Sequence, residues 1–128
     1  MNSLKPVSVL FITHTPVELQ GQRLLEALSD FGAAVAVSPE EAFPQLHRRT
    51  FDLILLDAGA VADPPELILR LLAGRPEAAI AVMTVSPAWK HARAVLQAGA
   101  LDYVKMSLDP DDLRHTLAGV IERLPGQA

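Results

Sequence analysis

Five short apolar runs recur along the chain, and segments with helical periodicity separate them. The runs are nearly continuous in hydrophobic residues, so each predicts a strand that is buried on both faces. Strands that alternate with helices predict right-handed crossovers and a parallel sheet between two helical layers. The fold class is therefore predicted to be α/β with three layers. The runs comprise residues 9–12, 33–37, 53–56 and 79–83, with a weaker run at 101–104.

The chain has the size and charge of one ordinary domain. It contains 128 residues, half of them hydrophobic, with 11 basic and 15 acidic side chains and a net charge of −4. A single domain over residues 1–128 is expected, with residues 125–128 as a frayed tail or linker stub. Because lysine and arginine form no stripe, direct binding to nucleic acid is not expected.

The sequence also excludes several kinds of site and location. Without cysteine, the chain has no disulfide framework, no thiol nucleophile and no cysteine-based zinc site. Its apolar runs fall far short of the roughly 20 residues that a membrane span requires, and its first residues lack the pattern of a secretory signal. We expect a cytoplasmic protein that does not associate with membranes.

Three positions carry the pattern of a helix start, in which a capping oxygen directly precedes a proline. The cap accepts hydrogen bonds from unpaired amides, and proline loses nothing at the first helical position. The first helix is expected to follow Pro16. The second is expected to be short or kinked at Pro44, because a proline inside a helix can cost about 3 kcal/mol. The three predicted starts are Ser38-Pro39, Ser86-Pro87 and Asp109-Pro110.

Helical spacing of apolar residues predicts the buried faces of the first and last helices. Gly32 and Gly99 fit the turns that end helices. The predicted inward-facing residues are Leu24, Leu28 and Phe31, followed by Leu113, Leu117, Val120 and Leu124.

Asp57 is the candidate site residue, because it ends the third apolar run with a carboxylate. In an open parallel sheet, ligands bind where the carboxyl ends of the strands meet and the strand order reverses. The strand order 2-1-3-4-5 would bring the end of the first strand, Thr13-His14, next to Asp57. Thr84 would lie beside them at the end of the fourth strand.

Four segments taken in order resemble the receiver domain of bacterial two-component response regulators, the CheY-like family. The resemblance extends from Val7 to Leu124 and implies a flavodoxin-like fold with five strands and five helices. In that family, an aspartate accepts a phosphoryl group, a threonine or serine bonds to it, and an aromatic residue rotates with it. By position, these correspond to Asp57, Thr84 and Tyr103. The four segments are Phe51-Asp-Leu-Ile-Leu-Leu-Asp57, Ala81-Val-Met-Thr84, Ala98-Gly-Ala-Leu-Asp-Tyr-Val104 and Asp109-Pro-Asp-Asp-Leu113.

Three departures from the family pattern affect the predicted site. Thr13 and His14 stand at the positions of the family's acidic pair, and Mg²⁺ prefers hard oxygen ligands in a near-octahedral array. Met106 stands at the position of the family's lysine, while Lys105, one residue away, is expected on the opposite face of the strand. The loop over residues 58–65 also lacks the family's usual glycine pattern. We therefore expect weak or absent Mg²⁺ binding and no cofactor.

Each candidate residue also has a plainer interpretation. Asp57 is either a phosphoacceptor or, as we favour, a polar strand end without current chemistry. The Thr84 hydroxyl could contact phosphate or cap the next loop. His14 is either a hydrogen-bonded spacer or the partner of Asp57 in a transition-metal site or a pH-dependent hydrogen bond, since histidine changes charge near neutrality.

Trp89 is the candidate for a partner surface. In the resembling family, the fourth helix, fifth strand and fifth helix form the output face, so a protein partner or a second copy of the chain is expected there. A histidine kinase is a further candidate partner. The competing interpretation is that Trp89, spaced helically with Ala92 and Leu96, packs onto the edge of the core.

The favoured function is a non-enzymatic, atypical receiver domain that acts through protein–protein interaction, with little or no Mg²⁺-dependent phosphorylation of an aspartate. The alternative is a functional response regulator that a partner histidine kinase phosphorylates on Asp57. A small α/β hydrolase or nucleotide-binding enzyme is disfavoured, because the chain has no glycine-rich phosphate loop and no Gly-x-Ser-x-Gly nucleophile elbow.

Overall fold

The computed structural model describes residues 4–14 and 19–127, and within them it shows a parallel sheet flanked by helices. The five strands lie in the order β2-β1-β3-β4-β5. This confirms the predicted α/β class, the five strands and the strand order. The elements are β1 (Val7–Ile12), α1 (Leu19–Ser29), β2 (Gly32–Val37), α2 (Pro39–Arg48), β3 (Leu53–Asp57), a 3₁₀ turn (Ala58–Ala60), α3 (Pro64–Gly74), β4 (Ile80–Thr84), α4 (Trp89–Ala98), β5 (Asp102–Lys105) and α5 (Pro110–Glu122).

The central strands are buried on both faces, as their continuous apolar sequences predict. Successive side chains of a strand point to opposite faces. In β3, Leu53 and Leu55 belong to the cluster beneath α1 and α5, whereas Ile54 and Leu56 belong to the cluster beneath α2, α3 and α4. Each fully buried leucine or isoleucine contributes about 1.5–3 kcal/mol relative to an exposed one. The two clusters together hold both helical layers against the sheet.

The predicted inward faces of the first and last helices are confirmed. All seven residues are buried, although Phe31 and Leu124 lie just beyond the helices that precede them. The expected start after Pro16 lies outside the described residues, and α1 is described from Leu19. No helix in the described ranges is long and apolar enough to cross a membrane.

In the described part of the chain, side-chain caps mark the starts of two α-helices, and only one of these was predicted. Asp109 accepts a hydrogen bond from the Asp112 amide at 3.2 Å and caps α5, as expected. Asp63 caps α3 through the Glu66 amide at 3.1 Å. Ser38 occupies the cap position of α2, but its side chain makes no capping hydrogen bond.

The prediction that Ser86 caps the fourth helix is wrong. Helix α4 begins at Trp89 and has Ala88 at its cap position, so Ser86 and Pro87 remain in the preceding loop. The Ser86 amide donates instead to the Thr84 hydroxyl at 3.2 Å. The Ser86 amide is thus bonded to the end of β4, and the residue lies ahead of the helix instead of capping it.

Helix α2 continues past Pro44 to Arg48 and is ten residues long. Proline lacks an amide hydrogen, so it removes the bond that residue 44 would otherwise donate to the carbonyl of residue 40. The helix tolerates this loss, and Ala42 and Leu46 on either side of the proline are buried.

Gln127, in the predicted tail, is hydrogen-bonded to Lys5, near the start of the described chain. The Gln127 carboxamide accepts from the Lys5 amide and donates to the Lys5 carbonyl, both at 2.8 Å. The expectation of a frayed tail took no account of this pair, because a side-chain contact across 122 positions leaves no local signal in the sequence.

Three described glycines, Gly32, Gly99 and Gly126, have a positive φ, which favours glycine, and two of them adjoin helices or strands. Gly99 ends α4 with φ +117°, as predicted. Gly32 has φ +148° and begins β2 instead of ending a helix. A Cβ added to Gly32 would lie 2.0 Å from the carbonyl oxygen of Val7. Only glycine allows β1 and the start of β2 to approach this closely.

Replacing Gly32 therefore tests the packing of the sheet. We expect Gly32→Ala to lower the free energy of unfolding by about 2 kcal/mol or more, because of the clash and the strained φ. Gly119→Ala in α5 is the matched control, since an added Cβ there meets nothing within 4 Å. It should raise stability by about 0.5–1 kcal/mol through helix propensity. Urea denaturation measures both, and equal stability of Gly32→Ala and the parent chain would contradict the clash.

Candidate functional site

The ends of β1 and β3 bring Thr13 and Asp57 into direct contact. Leu56 pairs with Ile12, so the next residue of each strand reaches the same point at the carboxyl edge of the sheet. The Thr13 hydroxyl donates to Oδ2 of Asp57 at 3.0 Å. Thr13 is only 3% exposed and is the one polar residue among the buried residues that the structure describes. Burial gives this hydrogen bond a fixed geometry.

The second oxygen of Asp57 is also engaged. The Gly59 amide donates to Oδ1 at 3.0 Å, so Asp57 caps the 3₁₀ turn that follows β3. A hydrogen bond to a charged group contributes about 1.5–3 kcal/mol. The carboxylate therefore links the end of β1 to the turn after β3, and this role needs no ligand.

Strand β5 places no lysine on the face of the sheet that carries Asp57. Strand β5 pairs with β4 in regular register, Thr84 with Lys105, so no bulge shifts its side chains. Val104 and Met106 point into the cluster beneath α1 and α5, which is the face of Asp57 by alternation along β3. Met106 is 8% exposed. Lys105 is exposed and makes no ion pair with Asp57 in the described part of the chain.

Thr84 and Tyr103 both hold the loop between β4 and α4. The Thr84 hydroxyl accepts from the Ser86 amide at 3.2 Å, and the Tyr103 hydroxyl accepts from the Ala88 amide at 3.2 Å. Thr84 lies one residue beyond Met83, the residue that pairs with Asp57. In the structure, the Thr84 hydroxyl therefore caps the loop that follows β4.

Within the described residues, His14 is not bonded to Asp57. Its side chain is exposed at the bend after β1, whereas the neighbouring Thr13 donates to Oδ2 of Asp57. Within residues 4–14 and 19–127, no three histidine, aspartate or glutamate side chains could share a metal ion. The donors around Asp57 are a neutral hydroxyl and an amide, which suit Mg²⁺ poorly because it prefers several anionic or water oxygens.

Trp89 is exposed at the first position of α4. Its exposed fraction is 78%, so the interpretation that its ring packs onto the core does not hold. Leu96, two helical turns further along, is 47% exposed and lies on the same side of the helix. The sequence spacing included Leu96 in the packing interpretation, whereas the structure leaves both residues open to solvent.

Comparison with known sequences finds transcriptional regulatory proteins. No protein-family model matches the chain. Over 88 residues the chain is 35% identical to the transcriptional regulatory protein ZraR of Salmonella typhimurium, and the match covers 68% of this chain and 20% of ZraR. The chain thus matches about a fifth of the length of that relative.

Comparison with solved structures finds response regulators and their receiver domains. A response regulator from Thermotoga maritima has a TM-score of 0.78 and 23% identity, covering 93% of this chain and 99% of its own. A CheY-like response regulator receiver domain protein from Methanospirillum hungatei has a TM-score of 0.69 and 19% identity, with coverage of 93% and 94%. The chain therefore has the fold of CheY-like receiver domains, and in sequence it is similar to part of a transcriptional regulatory protein.

The bond between Thr13 and Asp57 can be tested by a double-mutant cycle. Thr13→Val keeps the shape of the side chain but removes the donor, and we expect it to lower the free energy of unfolding by about 1–3 kcal/mol. In the background of Asp57→Ala, the same substitution should cost about 1 kcal/mol less, because the bond is already lost. Thr13→Ser, which retains the hydroxyl, is the control. Additive effects in chemical denaturation would show that the two side chains are not coupled.

Proposed function

We propose that the chain is an atypical receiver domain that signals through protein–protein contacts, with little or no Mg²⁺-dependent phosphorylation of Asp57. The observation that carries this proposal is the 3.0 Å bond from the Thr13 hydroxyl to Asp57. Thr13 stands at a position where the family pattern has an acidic metal ligand, and its hydroxyl donates to the Asp57 carboxylate. The receiver fold and the response regulators among its matches support a role in two-component signalling.

The chemistry of phosphoryl transfer explains why these changes matter. A metal ion and nearby cations normally stabilise the charge that develops on the transferred group. A phosphorylated carboxylate here would carry about −1.5 to −2 of charge, next to a neutral threonine and a buried methionine. If two missing charge-assisted contacts each contribute about 1.5 kcal/mol or more, transfer slows by about two orders of magnitude or more. Attack by Asp57 would also require it to release the Thr13 bond.

The alternative function is a response regulator that a partner histidine kinase phosphorylates on Asp57. The observation that favours it is the position of Asp57 at the carboxyl end of β3, half-buried, with Thr84 on the adjacent strand. In this alternative, Asp57 would be phosphorylated without the lysine of the family pattern and with fewer carboxylate ligands for Mg²⁺.

Phosphorylation of the purified chain separates the two functions. After incubation with acetyl phosphate and Mg²⁺, intact-mass spectrometry should find no phosphoryl group on the parent chain. Thr13→Asp combined with Met106→Lys restores the metal-side carboxylate and the cation, and this double variant should gain mass in an Asp57-dependent manner. Asp57→Asn in both backgrounds is the control. A phosphoryl group on Asp57 of the parent chain would establish the alternative.

The exposed surface around Trp89 and Leu96 supports an interaction role. Aromatic side chains that become fully desolvated dominate the energetics of many interfaces. The net charge of −4 makes nucleic acid a poor partner for the chain as a whole. We propose a second copy of the chain or another protein as the partner, with α4, β5 and α5 as the contacting elements.

Substitution of Trp89 tests the partner surface. We expect Trp89→Ala to weaken self-association by about 30-fold or more, equivalent to about 2 kcal/mol, while leaving thermal stability unchanged. Leu69→Ala is the control, because Leu69 is an exposed hydrophobic residue of α3, which is not one of the proposed contacting elements. Sedimentation equilibrium measures both variants. A chain that stays monomeric, or one that associates equally with and without Trp89, contradicts the homodimer form of the proposal.

A further inference from the structure

A cavity of about 210 Å³ lies on the face of the sheet opposite the bond between Thr13 and Asp57. It is partly open to solvent and is lined by residues of β4, β5 and α4, by the loop before α3 and by the start of α3. Ala58 and Ala94 leave space in two of its walls, and Pro64 and Pro65 hold a third wall rigid at the start of α3. The cavity therefore results from small and conformationally fixed residues around a well-packed sheet.

The lining of the cavity combines polar and apolar side chains. Thr84 and Tyr103 supply hydroxyls, the exposed His91 also lines it, and Val61, Val82 and Val95 contribute apolar surface. Each of the two hydroxyls accepts a backbone amide, from Ser86 and from Ala88. Among the described residues neither hydroxyl is recorded as a donor, so both protons are available to an acceptor placed in the cavity.

We propose that this cavity binds a small, neutral molecule with an aromatic or branched apolar body and one hydrogen-bond acceptor oxygen. Apolar pockets with a few placed polar groups are the usual form of small-molecule sites. A dry apolar cavity of about 150 Å³ is large enough for benzene, so 210 Å³ accommodates a ring with a short polar substituent. The acceptor would receive the protons of Thr84 and Tyr103, and the ring would contact the valines.

A molecule bound there would act on the loop that leads to Trp89. The hydroxyls that would contact the ligand are the same ones that hold the amides of Ser86 and Ala88, and Trp89 follows directly. A shift of Tyr103 therefore changes the start of α4. The cavity would couple a chemical input to the proposed partner surface, and this binding site does not depend on whether Asp57 is phosphorylated.

Two probes that differ only at the acceptor test the proposal. Acetophenone carries a carbonyl where ethylbenzene carries a methylene group, and the two have nearly the same shape. In amide NMR spectra of the ¹⁵N-labelled chain, acetophenone should cause saturable shifts at Thr84, Val95 and Tyr103, with a dissociation constant of about 1 mM or tighter. Ethylbenzene should bind at least about fivefold more weakly, because it accepts no hydrogen bond.

Matched variants connect the shifts to the cavity. Ala94→Leu fills the space and should abolish the shifts, whereas Ala92→Leu on the same helix adds the same atoms outside the cavity and should preserve them. Tyr103→Phe should reduce the preference for acetophenone without preventing the chain from folding. Shifts that do not saturate, or that persist in Ala94→Leu, would overturn the site. An unchanged preference in Tyr103→Phe would overturn the assignment of the Tyr103 hydroxyl as a donor to the ligand.

Discussion

The hydrogen bond between the Thr13 hydroxyl and the Asp57 carboxylate connects the fold to the proposed function. It joins the ends of the two strands at which the strand order reverses, the usual place for a ligand in such a sheet. With Gly59 bonded to the other oxygen, Asp57 serves as a structural link between β1 and the turn after β3. We propose that a carboxylate held in this way neither binds Mg²⁺ tightly nor attacks a phosphoryl donor readily.

The fold could be predicted from the sequence, because burial of a parallel sheet leaves a strong and local pattern. All five apolar runs became strands, and the boundaries moved by two residues at most. Local sequence patterns failed at two positions, Ser86 and Gly32. Ser86 precedes a proline and predicts a cap, but its amide bonds to Thr84 and α4 begins three residues later. Gly32 matched a helix end, whereas its actual constraint is the carbonyl of Val7, which the sequence cannot place.

The site could be predicted only in part. The position of Asp57, the offset of Lys105 and the face of Met106 follow from strand periodicity, and the register of β5 agrees with that prediction. The contact between Thr13 and Asp57 spans 44 positions and depends on one rotamer, so no local pattern indicates it. Exposure of Trp89 likewise depends on which side of α4 faces the core, and helical spacing alone left that question open.

The central claim is that Thr13 keeps Asp57 from functioning as a metal-assisted phosphoacceptor. The most direct measurement is a Mg²⁺ titration that follows the amide NMR signals of Asp57 and Gly59, whose hydrogen bonds would have to rearrange around a metal ion. The account predicts no saturable change at millimolar Mg²⁺ in the parent chain, and a saturable change in Thr13→Asp. Saturable binding by the parent chain that disappears in Asp57→Asn would contradict the account.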